Sequence, residues 1–589
     1  MIKPSPEQEY IINYFIQNNP RNRVLLVEAP PGTGKTFTAV TTAMYYTHFN
    51  IENNPRYNKK VLILTFSKNA RAQIEKQLDI LSSHDDNWDK YIEITNFHSF
   101  FQKYVWAYSR YLGLKENLII MSSKQRREKL KNKLSFISDY DGDNNEQYEW
   151  AEALLEGDFR PLTNKGNVKP AVKKLIPYKE DIMNVIKEIN KEGYIGFSDI
   201  AYYMWELLQK SQALLNIIQN KYNLIILDEY QDSSDLQDKI VKKLIGKSNK
   251  AIFFADSKQM IYSWRGASSE RLNNLLNDYK GEIEKKELIE VMRFKNRKDI
   301  ENILKEAREG NYNINNFNSS ENIEYVKVKV KDKNIYSREI KNHMFATLKY
   351  KVFNKLPKYN ETKNKSIGIL CRSNEQVSFL KKALREEFNI NSQTISNNED
   401  EHDIICDLIE FMRKQQTEIN EDELCREILK YIFFVIYDNN IGSIKRNKLD
   451  DVSFNSLKRA RLEILKTISH YVEEANEEKD YYKCLSNSIK LISNNNLQIN
   501  YDMMSLVKKV LHFCSYSEDR IMDIFLQYQY LKAFKELIGI YVLNVHQSKG
   551  REFDYVFLID RETINKEDNL LYVALSRVKE KLVVFDWVV

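Results

Sequence analysis

The chain reads as an α/β protein with two parallel-sheet domains, each interrupted by a mainly helical insert. Three observations predict this. Short apolar runs alternate with helical stretches through the first hundred residues, the rhythm of right-handed βαβ units. That rhythm lapses twice, from about Phe101 to Gly196 and from about Phe388 to Ala533, and strand signals return after each lapse. Two of the apolar runs, Val24–Val27 and Leu224–Leu227, deliver polar clusters to positions where buried parallel strands would end.

In chain order, Arg23 to Glu28 is a strand, followed by a loop and a helix from about Lys35 to His48. Val61 to Phe66 is a second strand, Ser67 to Leu78 a helix, and Ile92 to Thr95 a third short strand. The pattern then turns helical and polar, and the strand rhythm resumes at Asn223–Asp228 and Ala251–Ala255. A second α/β stretch has strands at Ile323–Val330 and Ser366–Cys371, and after the second lapse at Ile540–Val545, Tyr555–Asp560 and Lys581–Phe585. These breaks put one α/β domain at 1–100 and 197–275 with its insert at 101–196. The second lies at 276–387 and 538–589 with its insert at 388–537.

Composition bounds the possibilities. A length of 589 residues is too great for one core, and a hydrophobic fraction of 42% supports several. The net charge of +6 is small against 89 basic and 83 acidic side chains, so any nucleic-acid footprint must be local. Five scattered cysteines form no Cys-x-x-Cys pair, which argues against a zinc site, an iron–sulfur cluster or a disulfide framework. The N-terminus lacks the apolar core of a signal peptide, and the aromatic-aliphatic run Tyr431–Tyr437 is too short to span a bilayer. The expectation is a cytoplasmic protein with no membrane partner.

The segment Ala29-Pro30-Pro31-Gly32-Thr33-Gly34-Lys35-Thr36 has the makings of a phosphate-binding loop. Gly32 and Gly34 let backbone N–H groups curl around phosphates, Lys35 neutralises the β/γ oxygens, and the Thr36 hydroxyl ligates magnesium. The plainer alternative is a glycine turn between strand and helix. In Asp228-Glu229-Tyr230-Gln231-Asp232, Asp228 would hold Mg2+ and Glu229 would orient and deprotonate the attacking water. The plainer alternative there is an acidic turn capping a helix at Ser233-Ser234, which leaves the apolar run before it unexplained.

These residues resemble superfamily 1 helicases of the UvrD/Rep group. Asp228–Asp232 and Ala255–Ala267 resemble motifs II and III, Val545–Asp554 resembles motif V, and Leu571–Arg577 resembles motif VI. Upstream, Leu64–Ser67 and Asn96–Phe100 resemble motifs Ia and Ib, and Gln8 sits where that family has its adenine-reading glutamine. The resemblance implies two RecA-like domains with ATP in the cleft between them. It implies that Arg293 and Arg577 reach the γ-phosphate from the second domain, that Gln259 senses the same phosphate, and that Glu552 contacts the ribose. The ATP-binding set is then Gln8, Pro31, Gly32, Thr33, Gly34, Lys35, Thr36, Arg293, Glu552 and Arg577. Asn96 and Asn544 stand where the family commonly has threonines that contact strand phosphates, a role an amide can still fill.

A translocating motor needs rings to stack on bases, a contact worth ~1–3 kcal/mol per base, and donors to hold phosphates. Phe66, Tyr262 and Trp264 are the candidate rings, with His98, His546 and Lys549 the candidate phosphate contacts. The inserts carry basic runs, including Arg127, Lys129, Lys131 and Lys133 in the first and Lys445, Arg446 and Lys458 in the second. These could grip duplex DNA or form solvated helix faces.

The reading is an ATP-dependent 3′-to-5′ translocase and helicase acting on single-stranded DNA and ss/ds junctions, its polarity implied by the resemblance alone. One alternative is a nucleic-acid-sensing ATPase subunit that regulates a separate nuclease or accessory partner, as in antiphage defence. The ten residues after Lys579 leave no room for a fused nuclease on that view. Another alternative is an RNA helicase or a 5′-to-3′ motor.

Overall fold

The computed structural model describes residues 3–16, 22–82, 88–163, 166–262, 266–268, 270–294, 296–310, 319–329, 346–347, 349–356, 365–388, 420–436, 440–478, 480–493, 497, 504, 507–508, 539–565 and 569–588. The chain divides into two compact units. The first comprises Met1–Ile119, Arg127–Ile395 and Ala533–Val589, and the second Ile120–Arg126 and Ser396–Lys532. In chain order the strands are β1 (Val24–Glu28), β2 (Lys60–Thr65), β3 (Ile92–Asn96), the short β4 (Ile119–Ile120) and β5 (Tyr194–Ile195), β6 (Tyr222–Leu227), β7 (Lys250–Ala255) and β8 (Ile283–Glu287). Then come β9 (Ile323–Lys329), β10 (Ser366–Cys371), the short β11 (Asn440–Ile441) and β12 (Ile444–Lys445), β13 (Gly539–Asn544), β14 (Phe553–Leu558) and β15 (Val578–Val588).

The first unit holds two all-parallel sheets, as the α/β rhythm predicts. One has the order β3-β2-β6-β7-β1-β8 and the other β13-β10-β14-β15-β9. The central strands of the first sheet are apolar and buried nearly throughout, because helices cover both faces. In the second sheet the pleat sorts neighbours onto opposite faces. Ile369, Val542, Phe557 and Val583 join one core, while Leu370, Leu543, Leu558 and Val584 join the other.

Helix starts follow cap chemistry. Helix α1 (Pro6–Ile12) opens with a capping box between Ser5 and Gln8, while α2 (Lys35–Asn53) begins straight from the glycine loop. Ser67 caps α3 (Lys68–Leu81) and Asn96 caps α4 (Phe97–Ala107), each accepting a backbone N–H from its helix's first turn. Asn544 caps the helix Val545–Ser548 in the same way. The side-chain oxygens of Asn96 and Asn544 are thus engaged by strand-to-helix turns.

One boundary needs correction. The expected second domain begins at 276, yet β8 pairs in parallel with β1 from Val24↔Ile283 to Glu28↔Glu287 and so belongs to the first sheet. Its sequence, Ile-Glu-Lys-Lys-Glu, hides it, because an edge strand carries charge where a central strand carries apolar side chains. Lys285 bridges Glu28 and Glu287, and Glu284 accepts the hydroxyls of Tyr10 and Tyr14.

In the second unit, the helices Glu421–Val435, Phe454–Lys458, Glu463–Glu478 and Tyr481–Ser493 enclose one apolar core that includes Leu429, Ile432, Leu465, Ile468 and Leu485. The stretch expected to be helical also contains the β11–β12 hairpin, turned by Gly442 at φ 59°. Several basic side chains of the inserts have partners within their own insert. Lys129 and Lys133 pair with Glu192 and Lys131 with Asp143, while in the second unit Arg446 donates to the Ile436 carbonyl and Lys458 pairs with Glu473. Among the described residues no helix is long and apolar enough to cross a membrane.

Candidate active site

The site lies outside the carboxyl ends of β1, β2, β6 and β7, where open α/β sheets hold ligands. Between β1 and α2, Gly32 (φ 81°) and Gly34 (φ 84°) take left-handed conformations that other residues adopt at a cost. Both are also closed in: a Cβ on Gly32 would meet Arg293 Cβ at 2.9 Å, and one on Gly34 would meet Gln8 Nε2 at 2.5 Å. Gln8 braces this loop. Its Nε2 donates to the Thr33 carbonyl at 3.0 Å and its Oε1 accepts from the Ser5 amide at 2.9 Å. Gln8, expected to read adenine, is buried, and one N–H and one lone pair of its amide are engaged in this brace.

At the end of β6 the Asp228 amide donates to the Leu64 carbonyl at 2.8 Å. Glu229 then turns left-handed at φ 53°, ψ 39°, a conformation costing a non-glycine residue about 1–2 kcal/mol. Its carboxylate meets Lys35, with Nζ donating to Oε1 at 2.9 Å. Burial alone would push Glu229 up, but the charges of Lys35 and then Lys549 overcome it and hold the carboxylate well below its usual range. Burial and the neighbouring Glu229 charge push Asp228 up. For Lys35, burial is outweighed by the carboxylates of Glu229, Asp228 and Asp256, so its pKa rises.

A hydrogen-bonded chain leads from Glu229 to the opposite wall. Gln231 Nε2 donates to Glu229 Oε2 at 2.6 Å, and Gln231 Oε1 accepts the Asp256 amide at 3.1 Å. Asp256 Oδ2 accepts from Gln259 Nε2 at 2.9 Å and from the Tyr572 hydroxyl at 3.2 Å. Gln259 Oε1 in turn accepts from Arg577 Nη2 at 3.3 Å. Arg577 is buried, which lowers its pKa, and its Nε is fixed on the Val573 carbonyl at 2.9 Å.

Arg293 reaches the same place by a different route from the one expected. The amides of Met292 and Arg293 both donate to the Gly32 carbonyl, at 2.8 and 3.2 Å, while Phe294 is buried in a core of the second sheet. Arg293 thus sits on the crossover between the two sheets, tied by its backbone to the phosphate loop, and is not carried by the second domain alone. Its guanidinium donates to the Ser576 carbonyl at 3.0 Å and pairs with Glu552. Burial, then the charge of Arg577, brings its pKa down to about 9. Glu552, expected at the ribose, is engaged by Arg293.

Pro31, Gly32, Gly34, Lys35, Thr36, Asp228, Glu229, Gln259, Arg293, Glu552 and Arg577 all line one cavity of about 310 Å3. Gln8 and Thr33 support it from behind. The donor set fits a hard divalent cation, because the buried Asp228 Oδ1 has no hydrogen-bond partner among the described residues and the Thr36 hydroxyl lines the same space.

The described residues expected on the DNA track make contacts within the protein. Phe66 and Tyr262 stack on each other, with centroids 5.4 Å apart and planes 24° from parallel. The Tyr262 hydroxyl donates to the His546 carbonyl at 3.3 Å, and the His546 ring lies 6.2 Å from that of Tyr262. Lys549, expected at a strand phosphate, is buried instead, with Nζ 2.7 Å from Asp232 Oδ1. His98 packs edge-on against Phe197. Trp264 lies outside the described residues.

Sequence reasoning did not single out Gln231, Asp232, Asp256 or Arg308, which lies within 3.5 Å of Glu28 and 3.7 Å of Asp256. A signal existed for Asp256, which ends an apolar run just as Asp228 does. Arg308 has no such mark, since only the packing of its helix brings it to the first sheet.

Residues 15–280 match the model of the UvrD/REP helicase N-terminal domain, and residues 539–585 that of the UvrD-like helicase C-terminal domain. The chain is 24% identical to a probable DNA helicase II homolog of Mycoplasma pneumoniae, over 95% of this chain and 81% of the relative. It is 23% identical to the ATP-dependent DNA helicase Rep of Buchnera aphidicola subsp. Schizaphis graminum, over 96% and 92%. Against the ATP-dependent DNA helicase PcrA of Staphylococcus epidermidis it is 22% identical, over 95% and 80%. With Lys35, Asp228, Glu229 and Gln259 inside the first match and Glu552 and Arg577 inside the second, the chain belongs to the UvrD/REP helicases and is an ATP-hydrolysing enzyme.

Proposed function

We propose that the chain is an ATP-dependent DNA helicase that moves 3′ to 5′ along single-stranded DNA and opens duplexes at ss/ds junctions in the cytoplasm. The observation that carries this reading is the Lys35–Glu229 contact in a cavity whose other wall holds Gln259, Arg293 and Arg577. Relatives named as ATP-dependent DNA helicases over most of their length support it.

When ATP enters, Lys35 exchanges Glu229 for the β/γ oxygens, and the released carboxylate takes the proton of the attacking water. Arg577 and Arg293 face the charge that develops on the transferred phosphoryl group. Thr36 and Asp228 would hold Mg2+, which supplies charge neutralisation at the phosphates. Two sheets that share one cavity convert nucleotide turnover into relative motion, through the chain from Glu229 to Arg577 by way of Gln231, Asp256 and Gln259.

The test is ATP hydrolysis with and without single-stranded DNA, alongside strand displacement on 3′- and 5′-tailed duplexes of DNA and RNA. DNA-stimulated hydrolysis with displacement of 3′-tailed DNA is expected. Displacement confined to 5′-tailed or RNA substrates, or hydrolysis with no displacement, overturns the reading.

A further inference from the structure

Lys549 follows the helix Val545–Ser548 beyond the carboxyl end of β13, on the side of the second sheet. Its ammonium nevertheless reaches a residue of the first. Nζ lies 2.7 and 2.6 Å from the two carboxylate oxygens of Asp232 and donates to the Gln259 carbonyl, with the Tyr262 ring 5.0 Å away. The side chains of Lys549 and Asp232 are only 7% and 1% exposed. Both residues line the cavity that holds Lys35, Glu229 and Arg577. A strand phosphate could reach this ammonium only by displacing a buried ion pair, which would leave the Asp232 carboxylate buried without its partner.

We propose that Lys549 is a positioning residue of the hydrolysis cleft, which, clasped to Asp232, joins the two sheets and fixes the segments carrying Glu229 and Gln259, and does not grip the nucleic-acid strand. This rests on the reading of the cleft as an ATPase site. Asp232 lies three residues after Glu229, and Gln259 receives both the Lys549 ammonium on its carbonyl and Arg577 on its side chain. Loss of the clasp leaves one buried charge without its partner, so the strain falls on these two segments. Nucleotide affinity depends on the phosphate loop, which the clasp does not touch. The effect therefore belongs in kcat.

The experiment uses the full chain and measures kcat and KM for ATP at saturating oligothymidylate, with affinity for a fluorescent oligothymidylate read separately. Wild-type turnover tests the cleft reading itself, and the variants test the clasp. Lys549→Gln is expected to lower kcat about tenfold, with KM and DNA affinity within about twofold of wild type, and Lys549→Arg to restore most of the rate. Asp232→Asn should lower kcat similarly, and the double variant should fall no further than the weaker single one. Asp232→Asn keeps the side chain's shape, so it decides the matter if Lys549→Gln does not fold. An unchanged kcat in Asp232→Asn overturns the proposal. So does a Lys549→Gln protein that turns over normally but binds the oligonucleotide tenfold more weakly.

Discussion

The Lys35 ammonium and the Glu229 carboxylate, 194 positions apart in the chain, meet at 2.9 Å inside the cleft. Each keeps the other ionised against burial, which on the proposed mechanism would place the base and the phosphate's counter-charge in one contact. On the proposed mechanism the pair would also act as a lock, because Glu229 would be free to take a proton from water only once a phosphate drew Lys35 away. A buried pair of this kind adds little net stability, yet breaking it from one side is costly.

Lys35→Ala follows from that contact. The variant loses the counter-charge for the phosphates and should hydrolyse ATP at least about a hundredfold more slowly, with its far-ultraviolet circular dichroism unchanged. Turnover at the wild-type rate would remove Lys35 from the site.

Gln231→Leu probes the support of Glu229. The leucine leaves the Asp256 amide without its acceptor and frees Glu229 Oε2, while the groups that face the phosphates stay in place. A loss of about tenfold or more in kcat, with KM for ATP near wild type, is the expected signature of a misplaced base. Steady-state kinetics at saturating single-stranded DNA reads it, and a pure KM effect contradicts the assignment.

What the sequence makes legible is whatever the chain must write locally. The buried parallel strands announce themselves because helices on both faces demand continuous apolar runs. Lys35, Asp228 and Glu229 announce themselves because strand ends and glycine turns place them. β8 stays hidden because its edge position lets Glu284, Lys285 and Lys286 replace apolar side chains. The Lys549 contact stays hidden for a different reason. Its motif fixes the backbone, but only the approach of the second sheet shows that the ammonium meets Asp232 before any strand. The brace that Gln8 forms is hidden in the same way, since its contacts to Ser5 and Thr33 follow no spacing rule.

Gly34→Ala tests the phosphate loop. At φ 84° the added methyl imposes left-handed strain of about 1–2 kcal/mol. It also meets Gln8 Nε2 at 2.5 Å and displaces the brace on Thr33. Both effects act on the ground-state loop, so KM for ATP should rise and the thermal midpoint fall together. A variant with wild-type midpoint and KM would show that Gln8 does not support the loop.

Glu93 on β3 offers a pH-dependent test of stability remote from the cleft. Its carboxylate pairs with Lys103 at 2.9 Å and Lys221 at 2.7 Å and accepts the Tyr222 hydroxyl at 2.7 Å. Burial would raise its pKa, but Lys221, Lys103 and Tyr222 bring it from 4.5 down to about 2. Below 4.5 the unfolded chain binds a proton that the folded chain refuses, so this contribution is full above that pH and is lost as the pH falls toward 2. At 20% exposure of the side chain, the contribution at neutral pH is up to about 3 kcal/mol. Glu93→Gln should therefore be less stable than wild type in urea at pH 7, by a margin that narrows as the pH drops from 4.5 toward 2. A margin unchanged between pH 7 and the acid range would mean that the three partners do not hold the carboxylate ionised, and that the contact is packing alone.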